Sequence, residues 1–281
     1  LATDDNRDEL ENGNGLVKRA DRVTIHVLPN LFTAGNLCFG FLAVVKIIQA
    51  TRPEELVSKD LHWALIFILA AVLCDLLDGR VARYGGYESP FGREFDSLAD
   101  IVSFGVAPAL LVHRIVLVEF PTSSWAFAFI YLVCGGLRLA RFNVIHSQAQ
   151  KATHKHGAIK DFVGFPIPAA AGLIASLVLF IGVYKDYIWG QTARFVLPLI
   201  LLLLSAAMVS TVPYPSFKNL DWRMQKPFIV FVALIVVGSL AAALALHETA
   251  LAIMLPAIFL TYLFWGMWRW ARRRRSAAPP A

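Results

Sequence analysis

Four carboxylates set the chemistry open to this chain. Asp75, Asp78, Asp96 and Asp100 lie in one 26-residue stretch, DLLDGRVARYGGYESPFGREFDSLAD, which reads D-x2-D-G-x2-A-R-x8-G-x3-D-x3-D. Most of it adjoins or lies within apolar helix, where a carboxylate costs roughly 2.5 to 3.5 kcal/mol on insertion scales. Four of them converging on one place require a compensating cation. An oxygen-only ligand set of this size suits a hard cation such as Mg2+ or Mn2+ and lacks the nitrogen and sulfur that favour zinc. Gly79 and Ala82 adjoin the acidic face and are small enough for a flat or phosphorylated ligand to approach the backbone, although small residues are also the usual contacts between membrane helices. Arg83, a cation suited to phosphate, tips that balance toward a ligand.

The elements that must position these residues follow from their spacing. The uninterrupted apolar run Trp63 to Cys74 is too short to cross a bilayer, so the helix must continue through Asp75 and Asp78. Carried on to Arg83 it reaches roughly 30 Å and leaves Asp75 roughly 12 Å inside that end. Asp75 and Asp78 are i, i+3 and share a face, as do Asp96 and Asp100 at i, i+4 on the next helix. Between the pairs, Gly85, Gly86, Pro90 and Gly92 are breakers suited to reversing the chain. An antiparallel hairpin then brings both pairs together.

Composition places that hairpin in a membrane. The 281 residues are 57% hydrophobic, and a mean hydropathy of +0.60 is too apolar for a soluble domain. Eight candidate spans fall near 31–50, 62–84, 95–118, 124–142, 162–184, 192–212, 227–246 and 249–268. An even number puts both termini on one side. Of the 26 Lys and Arg residues all but six (Lys46, Arg52, Lys59, Arg114, Lys185 and Arg194) then fall on that side, which is expected to be cytoplasmic. The net charge of +6 is spread among membrane loops, so it implies anionic headgroups and no nucleic acid. Arg272 to Arg275, directly after Trp265, Trp268 and Trp270, read as an interfacial anchor. Cys38, Cys74 and Cys134 lack C-x-x-C spacing and read as small buried hydrophobes, while His146, His154 and His156 read as part of a solvated loop.

The full spacing from Asp75 to Asp100 resembles, without a substitution, the signature of the CDP-alcohol phosphotransferase family. VLPNLFTAGN, DSLADIVSFGVAPA, GLRLARFNV and GFPIPAAAG are similar to segments of its bacterial CDP-diacylglycerol-dependent phosphatidylserine synthases, over roughly residues 28 to 220. Phe165 stands where Leu is expected in such relatives. The resemblance implies an all-α, polytopic membrane bundle. It has a partly disordered cytoplasmic tail over 1–28 and a six-helix catalytic domain over 29–212. A loop and two additional transmembrane helices follow over 213–270, then a basic tail over 271–281. It further implies two divalent cations, Mg2+ or Mn2+, a homodimer among membrane lipids, and a bacterial inner membrane with the active site and both termini facing the cytoplasm.

The implied reaction transfers the phosphatidyl group of CDP-diacylglycerol to the hydroxyl of L-serine and releases CMP. By the same resemblance Asp75, Asp78, Asp96 and Asp100 hold the metals, Asp100 is the general base, and Gly79, Ala82, Arg83 and Gly92 contact the nucleotide and its diphosphate. Asn30 and Thr33 either join them or cap the first helix. The serine carboxylate calls for an Arg: Arg138 and Arg141 are the candidates, with Asn143 a polar contact, against the alternative that both arginines snorkel to headgroups. A second reading keeps the chemistry and changes the acceptor to glycerol 3-phosphate or inositol phosphate. An ion-coupled transporter explains the charges but not Gly79, Ala82, Arg83 and Gly92 at these spacings.

Overall fold

The computed structural model describes residues 27–50, 59–85, 89–115, 124–151, 162–184, 191–214 and 248–276. These form eight α-helices: α1 (Val27–Gln49), α2 (Lys59–Gly85), α3 (Pro90–Asp100), α4 (Ala107–Ile115), α5 (Ser124–Lys151), α6 (Ile167–Val183), α7 (Gln191–Val209) and α8 (Glu248–Ser276). Five stretches are long and apolar enough to cross a membrane: Asn30–Gln49, Lys59–Leu77, Phe91–Ile115, Trp125–Ile145 and Ala252–Arg272. The shorter apolar helices Ile167–Val183 and Val196–Val209 account for the fifth and sixth expected spans. The seventh, at 227–246, lies outside the described residues, as do the first 26 residues, His154, His156 and the last five residues.

Helices α1 and α2 pack along one another more extensively than any other pair, and α3 and α4 lie across α1. On the other side α5 packs on α7, and α8 packs on α6. The core between them is built from small and branched apolar residues such as Ala43, Ala64, Ile68, Leu111, Leu173 and Leu201. Phe41, Leu137, Leu199 and Phe264 point outward, as helices solvated by lipid require. Cys38 is exposed among them and Cys74 and Cys134 are half-buried, which corrects the expectation that all three are buried. An apolar span determines depth in the bilayer, not which face turns inward.

The third span departs from a regular helix. Ser89 caps α3, its Oγ accepting from the Gly92 N–H at 2.9 Å, and Pro90 opens the helix where no N–H is needed. Directly after Asp100 the helix widens into a π segment, Ile101–Val106, and returns to α-geometry at Ala107. Such widened turns occur mostly as single insertions and often at functional sites. Two side chains brace this one: Tyr131 Oη donates to the Phe104 carbonyl at 3.0 Å, and Ser103 Oγ donates to the Asn36 carbonyl at 2.9 Å. Ser103 can reach α1 because Gly40 faces it; a methyl group on Gly40 would lie 2.7 Å from Ser103 Cα.

The fifth span begins later than its hydropathy suggests. Phe162–Val163 pair antiparallel with Pro213–Tyr214 as a two-residue ladder, the only sheet among the described residues. Gly164 then turns at φ +93°, a conformation that disfavours a side chain. Pro166 caps the helix, with Ile167 its first residue. The Gly164 and Phe165 N–H groups donate to the Val212 and Ala207 carbonyls at 2.9 and 3.0 Å, so this irregular stretch keeps its backbone bonded.

Candidate active site

Three helical turns converge near one end of the α1–α2–α3 group. Asp75 on α2 and Asp96 and Asp100 on α3 each offer a carboxylate oxygen, and those oxygens lie within 4.8 Å of one another. Asp100 is buried, and Asp75 and Asp96 are half-buried. At this separation two ionised carboxylates repel by about 3.5 kcal/mol at an effective dielectric constant near 20. The donor set is all oxygen, hard and anionic, so its residues fit one or more divalent cations. Asp78 lies one helical turn beyond Asp75 on α2; its side chain, with those of Gly79, Ala82 and Arg83, is outside the described residues.

Helix α1 lines the site with polar residues at three-residue intervals, Asn30, Thr33 and Asn36, which run as one stripe along it. Asn36 is fully buried and its Nδ2 donates to Asp100 Oδ1 at 3.1 Å. Thr33 is buried one turn earlier. Asn30 faces the start of α3: a methyl group on Gly92 would lie 3.3 Å from its Oδ1. Its Nδ2 is buried and meets no hydrogen-bond acceptor among the described residues. A donor left in that state favours an incoming acceptor such as a phosphate or a base carbonyl.

Arg138 and Arg141, equivalent in the sequence, separate in the structure. Arg138 is 7% exposed; Asp100 first, then Tyr262 and Asp75, act on it electrostatically, and the like charge of Arg141 opposes them. Its Nε is buried with no hydrogen-bond acceptor among the described residues. Arg141, one turn further along α5, donates from Nη1 to the Val209 carbonyl at 3.1 Å and from Nη2 to the Ser210 carbonyl at 3.2 Å. It therefore ties α5 to the end of α7. Asn143 Nδ2 donates to Ser97 Oγ at 3.0 Å and reaches Glu94 Oε2 at 3.4 Å, joining α5 to α3.

The structure thus gathers Asp75, Asp96 and Asp100 around one centre, with Arg138 in the field of Asp100 and Asp75 and with Asn30 and Gly92 adjacent to each other. Two residues of the site were missed from the sequence. Asn36 carried a legible signal, an amide in the middle of an apolar span. Tyr262 carried none: it lies on α8, 4% exposed, and its ring stands 5.7 Å from that of Phe165.

Comparison with known proteins agrees with this arrangement. The family described as CDP-alcohol phosphatidyltransferase matches residues 26–212. The chain is 35% identical over 249 residues to the CDP-diacylglycerol–serine O-phosphatidyltransferase of Helicobacter pylori, covering 88% of this chain and 92% of that one. The enzyme of the same name from Bacillus subtilis is 32% identical over 199 residues, 69% of this chain and 93% of its own. The archaetidylserine synthase of Methanothermobacter thermautotrophicus is 35% identical over 195 residues, 69% of this chain and 71% of its own. With its aspartates gathered as that family's signature requires, the chain belongs to the CDP-alcohol phosphatidyltransferase family.

Proposed function

We propose that the protein is a CDP-diacylglycerol–serine O-phosphatidyltransferase of a bacterial inner membrane. The observation that carries this reading is a buried Arg138 within the electrostatic reach of Asp100 and Asp75, two of the three clustered carboxylates, an anion receptor near a cation receptor. The relatives named for serine transfer support the choice of acceptor.

On this reading Asp75, Asp78, Asp96 and Asp100 would hold two divalent cations, Mg2+ or Mn2+, whose chemistry when bound is to screen the diphosphate and the departing phosphate charge. Asn30, Thr33 and Gly92, with Gly79, Ala82 and Arg83, hold the nucleotide and diphosphate of CDP-diacylglycerol. Arg138 takes the serine carboxylate, while Arg141 and Asn143 shape that side of the pocket through their bonds to the α7 end and to α3. Asp100 accepts the serine hydroxyl proton as the oxygen bonds to the lipid-bearing phosphorus. The bond from that phosphorus to the bridging oxygen breaks, and its electron pair leaves on CMP. Asp100 is placed for that role as the buried member of the three carboxylates, at the centre where the acceptor would arrive.

Purified protein incubated with CDP-diacylglycerol and, separately, L-serine, glycerol 3-phosphate or inositol phosphate tests the reading. Phosphatidylserine and stoichiometric CMP with serine alone are expected; a phosphatidyl product only with a phosphorylated acceptor reassigns the substrate. The cytoplasmic termini and the homodimer belong to the same proposal. Reporter fusions after Arg275 and near Lys185 should score on opposite sides, and the protein mass in detergent should be that of two chains.

A further inference from the structure

We propose that Asn36 is a positioning residue for Asp100, and that through it helix α1 sets the orientation of the reacting carboxylate. The inference rests on the proposed reaction and assigns to α1 a role beyond contact with the nucleotide. Asn36 is fully buried in the middle of an apolar span, and its amide donates to Asp100 Oδ1 at 3.1 Å. The reverse orientation of the amide would set its oxygen against a carboxylate, so only the observed one is attractive. Its own Oδ1 is left buried without a donor among the described residues. Packing alone would not select a polar group left half-satisfied in this way; the demand of Asp100 for a donor does.

The same residue is anchored from the opposite direction. Its main-chain carbonyl accepts from Ser103 Oγ at 2.9 Å, and Ser103 sits in the π segment that begins directly after Asp100. Asn36 is therefore bonded to α3 on one side of the widened turn and to the turn itself on the other. Its side chain and backbone together fix where Asp100 lies relative to α1. Carboxylates that bind metal are commonly oriented by such outer partners, whose loss lowers metal affinity or activity ~10- to 100-fold.

The test compares Asn36→Ala, which removes the amide, with Asn36→Leu, which fills the space without a donor. Both should lower kcat ~10- to 100-fold and weaken Mn2+ affinity, read by electron paramagnetic resonance without substrate, with the KM for CDP-diacylglycerol nearly unchanged. Wild-type turnover and Mn2+ affinity in Asn36→Leu would show a packing role and overturn the proposal. Ser103→Ala is a milder variant for the case where neither folds. It should move kcat and Mn2+ affinity in the same direction by less, and no change in either is also a refutation. The wild-type protein assayed with serine in parallel separates failure of this inference from failure of the serine reading, since Mn2+ binding is scored without any acceptor.

Discussion

The two ends of the group formed by α1, α2 and the α3–α4 span treat charge in opposite ways. At the end away from the aspartates, Lys46 pairs with Asp60 at 2.7 Å, and Arg114 Nε donates to the Ala50 carbonyl at 3.1 Å at the end of α1. These three charges each meet a complementary group, and Asp60 also suits the first turn of α2. At the other end three carboxylates face one another, and buried donors of Asn30 and Arg138 await acceptors. The difference teaches how to tell an architectural charge from a reactive one. The first is satisfied within the fold, whereas the second is held in place for something that arrives.

Substitutions can break this contrast, and the aspartates should show the largest effects. Asp100→Asn should lower kcat by ~10²–10⁴-fold as the base is lost. Asp75→Asn or Asp96→Asn should lower turnover more than ~100-fold, and EDTA should abolish CMP release until Mg2+ or Mn2+ is restored. Asp60→Asn, at the other end, should leave the rate of CMP release unchanged. Full activity in thoroughly stripped protein would remove the metal from the mechanism. Next comes Arg138→Ala, which should raise the serine KM ~10- to 100-fold with little change for CDP-diacylglycerol, because a charged hydrogen bond to one substrate is lost. If the CDP-diacylglycerol KM rises instead, Arg138 belongs to the diphosphate.

The third comparison lies along α1 itself. Gly40→Ala must displace Ser103 and should destabilise by about 1–3 kcal/mol with loss of turnover, measured by thermal unfolding in detergent. Gly35→Ala, whose methyl group would sit 3.6 Å from Cys74 Sγ, should fall within about 0.5 kcal/mol of wild type. Lys46→Met belongs with these small effects. Both partners of its ion pair are about a third exposed, so the loss should be no more than about 1 kcal/mol, with activity intact.

The aspartate site was legible because its signal is spacing: i, i+3 and i, i+4 pairs either side of a Gly-Pro turn leave few ways to arrange the chain. Hydropathy located seven of the eight expected spans on described helices for a similar reason, that a bilayer calls for long apolar runs. The widened turn after Asp100 was not legible, since one extra residue in a helix leaves no mark on an uninterrupted apolar run such as Ile101 to Val106. Nor could spacing separate Arg138 from Arg141, which share a face of α5. Their roles diverge through partners more than fifty residues away, Tyr262 for one and the Val209 and Ser210 carbonyls for the other. The late start of α6 was hidden because Phe162, Val163 and Phe165 are as apolar as the helix they precede.

That late start decides what surrounds the chain where the fifth span begins. With 17 residues, α6 is about 26 Å long, short of a hydrocarbon layer of about 30 Å. The missing length is at its beginning, where Gly164 lies against the α7 end and the Arg141 guanidinium. The residues that take its place, Gly164, Phe165 and Pro166, are buried, so the irregular backbone there is enclosed by protein and not by lipid. A break in a span is tolerated at such a place because the chain around the α7 end, through the Ala207 and Val212 carbonyls, supplies the acceptors that hydrocarbon cannot.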